Sequence, residues 1–370
     1  MDNNFVRLPV YSKLAQVIVG LVAFFFILYI GQDILIPLVF ATIIAILLNP
    51  IVILLCRKRV NRLVAILIAL FLAIIVIAGV AYFIGSQMTM FSDSFPQFKV
   101  KFIKLTGNVE NWVSHTFNIS KTKIDGWLNR TKGEGINNTT AVITQTLGTI
   151  SGMLITLLLL PVYIFMILFY KPLLLEFISQ LFGKDRHVVV GEVLLETRTL
   201  IQSYLVGLLV EAILVATLNS IGLLIIGIDY AILLGVMGAL LNIIPYIGGV
   251  IAIALPMLIA FATKTPVDAL WVLIAYLIVQ FIDNNFFVPR IVASKVKINA
   301  LVSIIVVLIG DALWGVPGMF LSIPMTAIVK VVFDRIEPLK PFGFLLGDSQ
   351  RELDKTVFAY KKRKKKNVKM

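Results

Sequence analysis

Cysteine and histidine are almost missing from this chain of 370 residues: Cys56 is the lone thiol, and His115 and His187 are the only imidazoles. An internal disulfide and a cysteine-based metal site are excluded, and two histidines this far apart have no zinc-ligand spacing. Charge is also scarce, at 14% of residues against 59% hydrophobic, and the mean hydropathy is +0.98. Soluble domains are roughly 45–50% apolar, so a water-soluble globule is excluded. The sequence has no glycine-rich phosphate loop and no nucleophile beside a placed base, so neither an enzyme nor an ATP-driven pump is expected, and no cofactor is implied.

What the chain has instead is long apolar runs, at 14–30, 34–55, 63–84, 142–169, 201–226 and 268–288. Most approach the roughly 20 residues a helix needs to cross a bilayer. No small-residue cleavage site follows the first run, which is read as a retained span. The first two runs are joined by Gly31-Gln32-Asp33, a turn without a basic residue, whereas the next loop carries Arg57, Lys58, Arg59 and Arg62. The positive-inside bias puts that loop and the N-terminus in the cytoplasm. Residues 85–141 then fall outside, where Phe95, Phe98, Phe102, Leu105, Val109, Trp112 and Val113 recur as a helical stripe. Residues 171–200 mix acids and bases evenly and read as a cytoplasmic, solvated helical region. The net charge of +13 is concentrated in the tail, above all in residues 361–366. Beside membrane spans such a cluster leans on anionic lipid heads, and nucleic acid is not the expected partner.

Two further apolar stretches, 229–263 and 299–335, are each broken midway. The first breaks at Asn242-Ile243-Ile244-Pro245-Tyr246-Ile247-Gly248-Gly249, the second at Trp314-Gly315-Val316-Pro317-Gly318. If both cross the membrane there are eight spans, and Arg290, Lys295 and Lys297 lie outside. If both are re-entrant hairpins there are six spans, and those cations join the tail in the cytoplasm, as positive-inside bias prefers. In the six-span version residues 201–263 and 268–335 are inverted repeats, each with Pro-Met after its break, at Pro256-Met257 and Pro324-Met325. Inverted units with broken helices expose one midplane site alternately to either side.

Polar residues within these spans are the candidate site. Gln280, Asp283 and Asn284 share one face of a regular helix, with Asn285 beside them and Pro289 ending the segment. A carboxylate at the centre of a membrane helix costs roughly 2.5–3.5 kcal/mol on insertion scales, so Asp283 and Glu211 are functional candidates, and Asp311, just before the second break, joins them. Structural readings stand beside these. Asp283 at an interface near Arg290, Glu211 satisfied by Gln202, Tyr204 or a neighbouring subunit, and Asp311 as a helix cap are the alternatives. Tyr246 reads equally as a gate and as an interfacial aromatic.

Taken together, Ile244-Pro245-Tyr246-Ile247-Gly248, the Gln280-Phe281-Ile282-Asp283-Asn284 stretch ending in Pro289, and Trp314-Gly315-Val316-Pro317-Gly318 followed by Pro324 resemble the signature of the autoinducer-2 exporter family of permeases, in order and in spacing. The resemblance runs from the first span to Lys330. It implies a multi-pass protein of the bacterial inner membrane, a homo-oligomer, and export of a small signalling molecule or sodium/proton exchange. The expected layout is a three-span region over 1–84, an extracytoplasmic helical segment over 85–141, a fourth span and cytoplasmic helices over 142–200, a transport core over 201–335, and a basic cytoplasmic tail over 336–370. The fold expected is all-α, and the function a secondary transporter of a small molecule, sodium or protons. A passive channel and a non-transporting scaffold are the rival readings.

Overall fold

The structure is a computed structural model that describes residues 9–86, 159–182, 187–244 and 247–348. The expected helix at 85–141 and the basic tail lie outside the described residues, apart from residues at their edges. Among the described residues every extended element is helical, and Ile298 and Gly347 form one isolated β-bridge. In chain order the helices are α1 (Val10–Ile30), α2 (Gln32–Arg57), α3 (Arg62–Ser86), α4 (Leu159–Phe169), α5 (Lys171–Leu181), α6 (His187–Ile226), α7 (Ala231–Asn242), α8 (Ile247–Thr263), α9 (Pro266–Ile282), a π-helical segment (Asp283–Ala293), α10 (Ser294–Val296), α11 (Ala300–Arg335) and α12 (Lys340–Leu346).

Among the described residues five helical stretches are long and apolar enough to cross a bilayer: α2, α3, α6, the run Pro266–Val296, and α11. The pair α4 and α5, bent by 64°, makes a sixth if it is one broken span. The outward faces carry large apolar side chains, Phe24, Phe26 and Ile27 on α1 and Phe71, Ile75 and Tyr82 on α3 among them. Surface of that kind is stable against lipid and not against water. The chain is an all-α polytopic membrane protein.

The chain divides into two compact units, one of Ala45–Val296 and one of Met1–Ile44 with Lys297–Met370. In the first, α6 to α9 pack around Leu223, Leu234, Ala252, Ala260, Val272 and Tyr276. Helix α6 has 40 residues, about 60 Å at 1.5 Å per residue, twice the hydrocarbon thickness. The polar stretch read as a separate cytoplasmic region is therefore, from His187 onward, the same rod as the span. A turn with Gly227 and Tyr230 at positive φ reverses the chain into α7. There Gly235 lies on Ser220, where a Cβ would meet the Ser220 Cα at 2.9 Å. Helix α7 has 12 residues, about 18 Å, too short to cross, and after Ile243 and Ile244 the chain returns as α8. Gly248 backs onto the Leu241 carbonyl, and a Cβ on Gly238 would touch that of Ala252 at 3.5 Å. The first break is thus the tip of a tight helical hairpin.

The second break is sharper than the length of α11 implies. Gly315 has φ 60° and ψ −141°, a conformation available in practice only to glycine. In a straight helix 12 residues span about 18 Å, yet a Cβ on Gly310 would lie 3.1 Å from that of Ser322. Residues 300–314 and 316–335 therefore fold back on one another, with Gly310 and Gly318 in direct backbone contact at the crossing. Pro317 falls in the first turn of the second arm, where its missing N–H is no loss, and Pro324 is buried further along it. Elsewhere in this unit, Trp314 Nε1 donates to the Leu28 carbonyl at 2.9 Å, and the rings of Phe40 and Phe320 stack at 5.7 Å. Asn299 caps α11 by accepting from Val302 N at 2.8 Å and donates to the Leu345 carbonyl at 2.7 Å, which ties down α12.

Two glycine substitutions separate the two demands of this hairpin. Gly315→Ala has open space around its Cβ but an unfavourable backbone, at a cost of about 1–3 kcal/mol. Gly318→Ala drives a methyl into the Gly310 carbonyl and costs at least as much. Thermal denaturation in detergent is expected to show both below the wild type. Gly79→Ala, where nothing lies within 4 Å of the new methyl, serves as the neutral control.

Candidate functional site

Helix α6 sets the frame. Tyr204, Gly207, Glu211, Val215 and Asn219 are buried at steps of three and four residues, which is one helical face. Gly207 lets the backbone of the π-helical segment approach, since a Cβ there would sit 2.8 Å from the Ile291 carbonyl oxygen. One turn on, Glu211 is 7% exposed and Asp283, the first residue of the π-helical segment, is 1% exposed. Their carboxyl groups come within hydrogen-bonding reach of each other. Asn242, the last residue of α7, donates from Nδ2 to Asp283 Oδ2 at 2.8 Å. The tip of the first hairpin and two separate spans thus converge on one pair of acids.

The pair is chemically incomplete as two carboxylates. Two buried negative charges in contact repel, and a hydrogen bond between carboxyl groups requires a proton on one of them. Glu211 Oε2 and Asp283 Oδ1 have no hydrogen-bond partner among the described residues. Asp283 is buried within the protein; Arg290 lies over the Phe286 ring at 5.5 Å, and among the described residues no ion pair joins it to Asp283. Gln202 does not satisfy Glu211, because its amide donates to the Ile46 carbonyl at 2.7 Å.

The polar residues that helical spacing groups together differ in burial. Gln280 is half-buried, and its Oε1 lies 2.9 Å from where a Cβ on Gly249 would be, with Asn242 Oδ1 3.3 Å from the same point. Gly249 therefore makes room for two amides next to the acid pair. Asn284 and Asn285 are exposed: Asn284 accepts from Gln280 Nε2 at 3.4 Å, and Asn285 Nδ2 donates to the Phe281 carbonyl at 2.8 Å. The π-helical segment that begins at Asp283 and contains Pro289 carries both asparagines. Asp311 belongs to the other compact unit, where it is exposed. Pro245 and Tyr246 lie outside the described residues. Asn219 was not singled out from sequence: it is 4% exposed, with Oδ1 unpartnered and Nδ2 against Gly238. Its place eight residues after Glu211 was the available signal.

A polytopic helical protein with buried acids meeting at a broken helix belongs, by architecture, among the membrane transport proteins. Residues 18–337 match the model of the AI-2E family transporter, and the chain belongs to that family. It is similar to Putative transport protein YueF of Bacillus subtilis (strain 168), 27% identical over 80% of this chain and 82% of that protein. It is also similar to AI-2 transport protein TqsA of Escherichia coli (strain K12), 24% identical over 87% of this chain and 92% of that one.

The geometry separates charge from hydrogen bonding at the pair. Asp283→Asn keeps an oxygen that accepts from Asn242 and removes one of two apposed acids, so its detergent melting temperature is expected to equal or exceed that of the wild type. Asn242→Leu leaves a buried carboxyl without its donor and is expected to be destabilised by about 1–3 kcal/mol.

Proposed function

We propose that this protein is a secondary transporter of the bacterial inner membrane in which Glu211 and Asp283 form the coupling site. The observation that carries the reading is the contact between these two buried acids, with Asn242 bound to one of them at the hairpin tip. In the resting state the pair holds a proton. Loss of that proton adds a second buried negative charge, which a monovalent cation such as sodium offsets. Competition of the two ions for one site makes their movements mutually dependent, as exchange of a cation for protons requires. The same protonation cycle would drive export of a small solute if that solute binds only one state. The AI-2 named in the Escherichia coli relative is one candidate solute.

The two hairpins are the proposed moving parts. Helix α7 is too short to span, and the α11 hairpin turns back at Gly315, which supports the reading of each stretch as a re-entrant hairpin; six spans with cytoplasmic termini are proposed from the charge bias. Inverted units of this kind give alternating access to a fixed site. The protein is proposed to act as a homo-oligomer, with the basic tail resting on anionic lipid.

Reconstituted protein with a pH-sensitive dye inside the vesicles provides the test. Sodium or lithium outside is expected to drive proton movement in the wild type and to fail in Asp283→Asn and Glu211→Gln, each reduced at least about tenfold for the loss of a transition-specific charge. A fully active Asp283→Asn protein would favour the scaffold reading, and steady single-channel current would favour a channel. For topology, single cysteines in a Cys56→Ser background are expected to be labelled from outside at Lys264→Cys and from the cytoplasm at Lys295→Cys.

A further inference from the structure

A second site lies away from the acid pair and within the same compact unit. A cavity of about 510 Å³ opens where the C-terminal end of α2, the start of α3 and the bend between α4 and α5 meet. It is lined by Arg57, Arg62, Lys171, Asn49 and Cys56, with apolar walls including Val52 and Leu175. None of its lining residues is acidic. Lys171 Nζ donates to Asn49 Oδ1 at 3.1 Å, and Arg62 Nη2 donates to the Leu168 carbonyl at 2.8 Å, so both cations are held in place by neutral acceptors. Arg198 on α6 stands close enough, with Arg62, to repel the Lys171 ammonium, and its Nε is buried with no hydrogen-bond partner. None of these four cations forms an ion pair with a described carboxylate.

Gathering like charges is unfavourable unless something neutralises them. Neutral acceptors fix the cations and leave their charge unspent. Two guanidinium groups and one ammonium on the cavity wall suit a compact, multiply charged anion with several acceptor oxygens. The apolar walls suit a carbon substituent on that anion. The loop 57–62 is the one that charge bias places at the cytoplasmic surface. We infer that this cavity binds a phosphate ester, carried either by a lipid headgroup or by a soluble cytoplasmic molecule. Arg57 and Lys171 on its wall supply the charge, and Arg62 braces the α4–α5 bend that forms one wall. The site does not depend on the proposed role of Glu211 and Asp283.

Cys56 provides the readout, because it lines the cavity and is the only thiol in the chain. Its rate of maleimide labelling is measured in the full-length protein, first in non-ionic detergent with glycerol phosphate added, then in nanodiscs of galactolipid with or without phosphatidic acid. Protection in detergent assigns a soluble ester, and protection only by phosphatidic acid assigns a lipid; either supports the site. Substituting Arg57→Gln and Lys171→Gln is expected to raise the half-protecting concentration by about tenfold per cation removed, while Lys171→Arg retains protection. Folding of each variant is checked by its melting temperature, and the protection ratio is read within each variant. No protection in either arm, or equal protection in the doubly substituted protein, overturns the assignment.

Discussion

Inside hydrocarbon there is no water to complete an interrupted helix, and every part of this architecture answers to that constraint. A break in a membrane helix must be covered by other protein. At the first break the covering comes from α8, whose two glycines press against the end of α7, and from Gln280 of α9. At the second it comes from the hairpin itself, through the Gly310–Gly318 crossing. The glycines that open each break are also what allows the neighbouring backbone to close over it. The acid pair obeys the same rule in its side chains, since charge buried next to an exposed amide at a helix end is tolerable only with a donor such as Asn242 at hand.

Much of this was readable in the sequence, for identifiable reasons. Apolar runs report the bilayer directly, and glycine with proline inside such a run reports a break, so the membrane class and both breaks were visible. Asp283 and Glu211 were visible because acids are costly in hydrocarbon and rarely placed there without a use. Their partnership was not visible. It depends on α6 and the π-helical segment lying side by side through Gly207, a tertiary fact that no local pattern encodes. That Gln280 and Asn284 share a face was legible from their spacing, and Gln280 Nε2 donates to Asn284 Oδ1; how deeply each is buried was not, because it depends on the neighbouring helices. Pro289, noted as a terminator, lies inside the π-helical segment.

The basic loop after α2 shows a different kind of gap. Sequence reading used Arg57 and Arg62 as topological markers, which treats them as charges facing solvent. The structure gives them a cavity and sets Lys171 from a distant segment beside them. A charge run read along the chain cannot show such enclosure, because it depends on which segments the fold brings together.

Helix α6 carries both Arg198 and Glu211, 13 residues apart on one unbroken helix and so about 20 Å from each other. The helix continues unbroken through Gly207 and holds no proline between the two positions, so they move together. Whatever reorients Arg198 at one end re-aims the Glu211 carboxyl at the other.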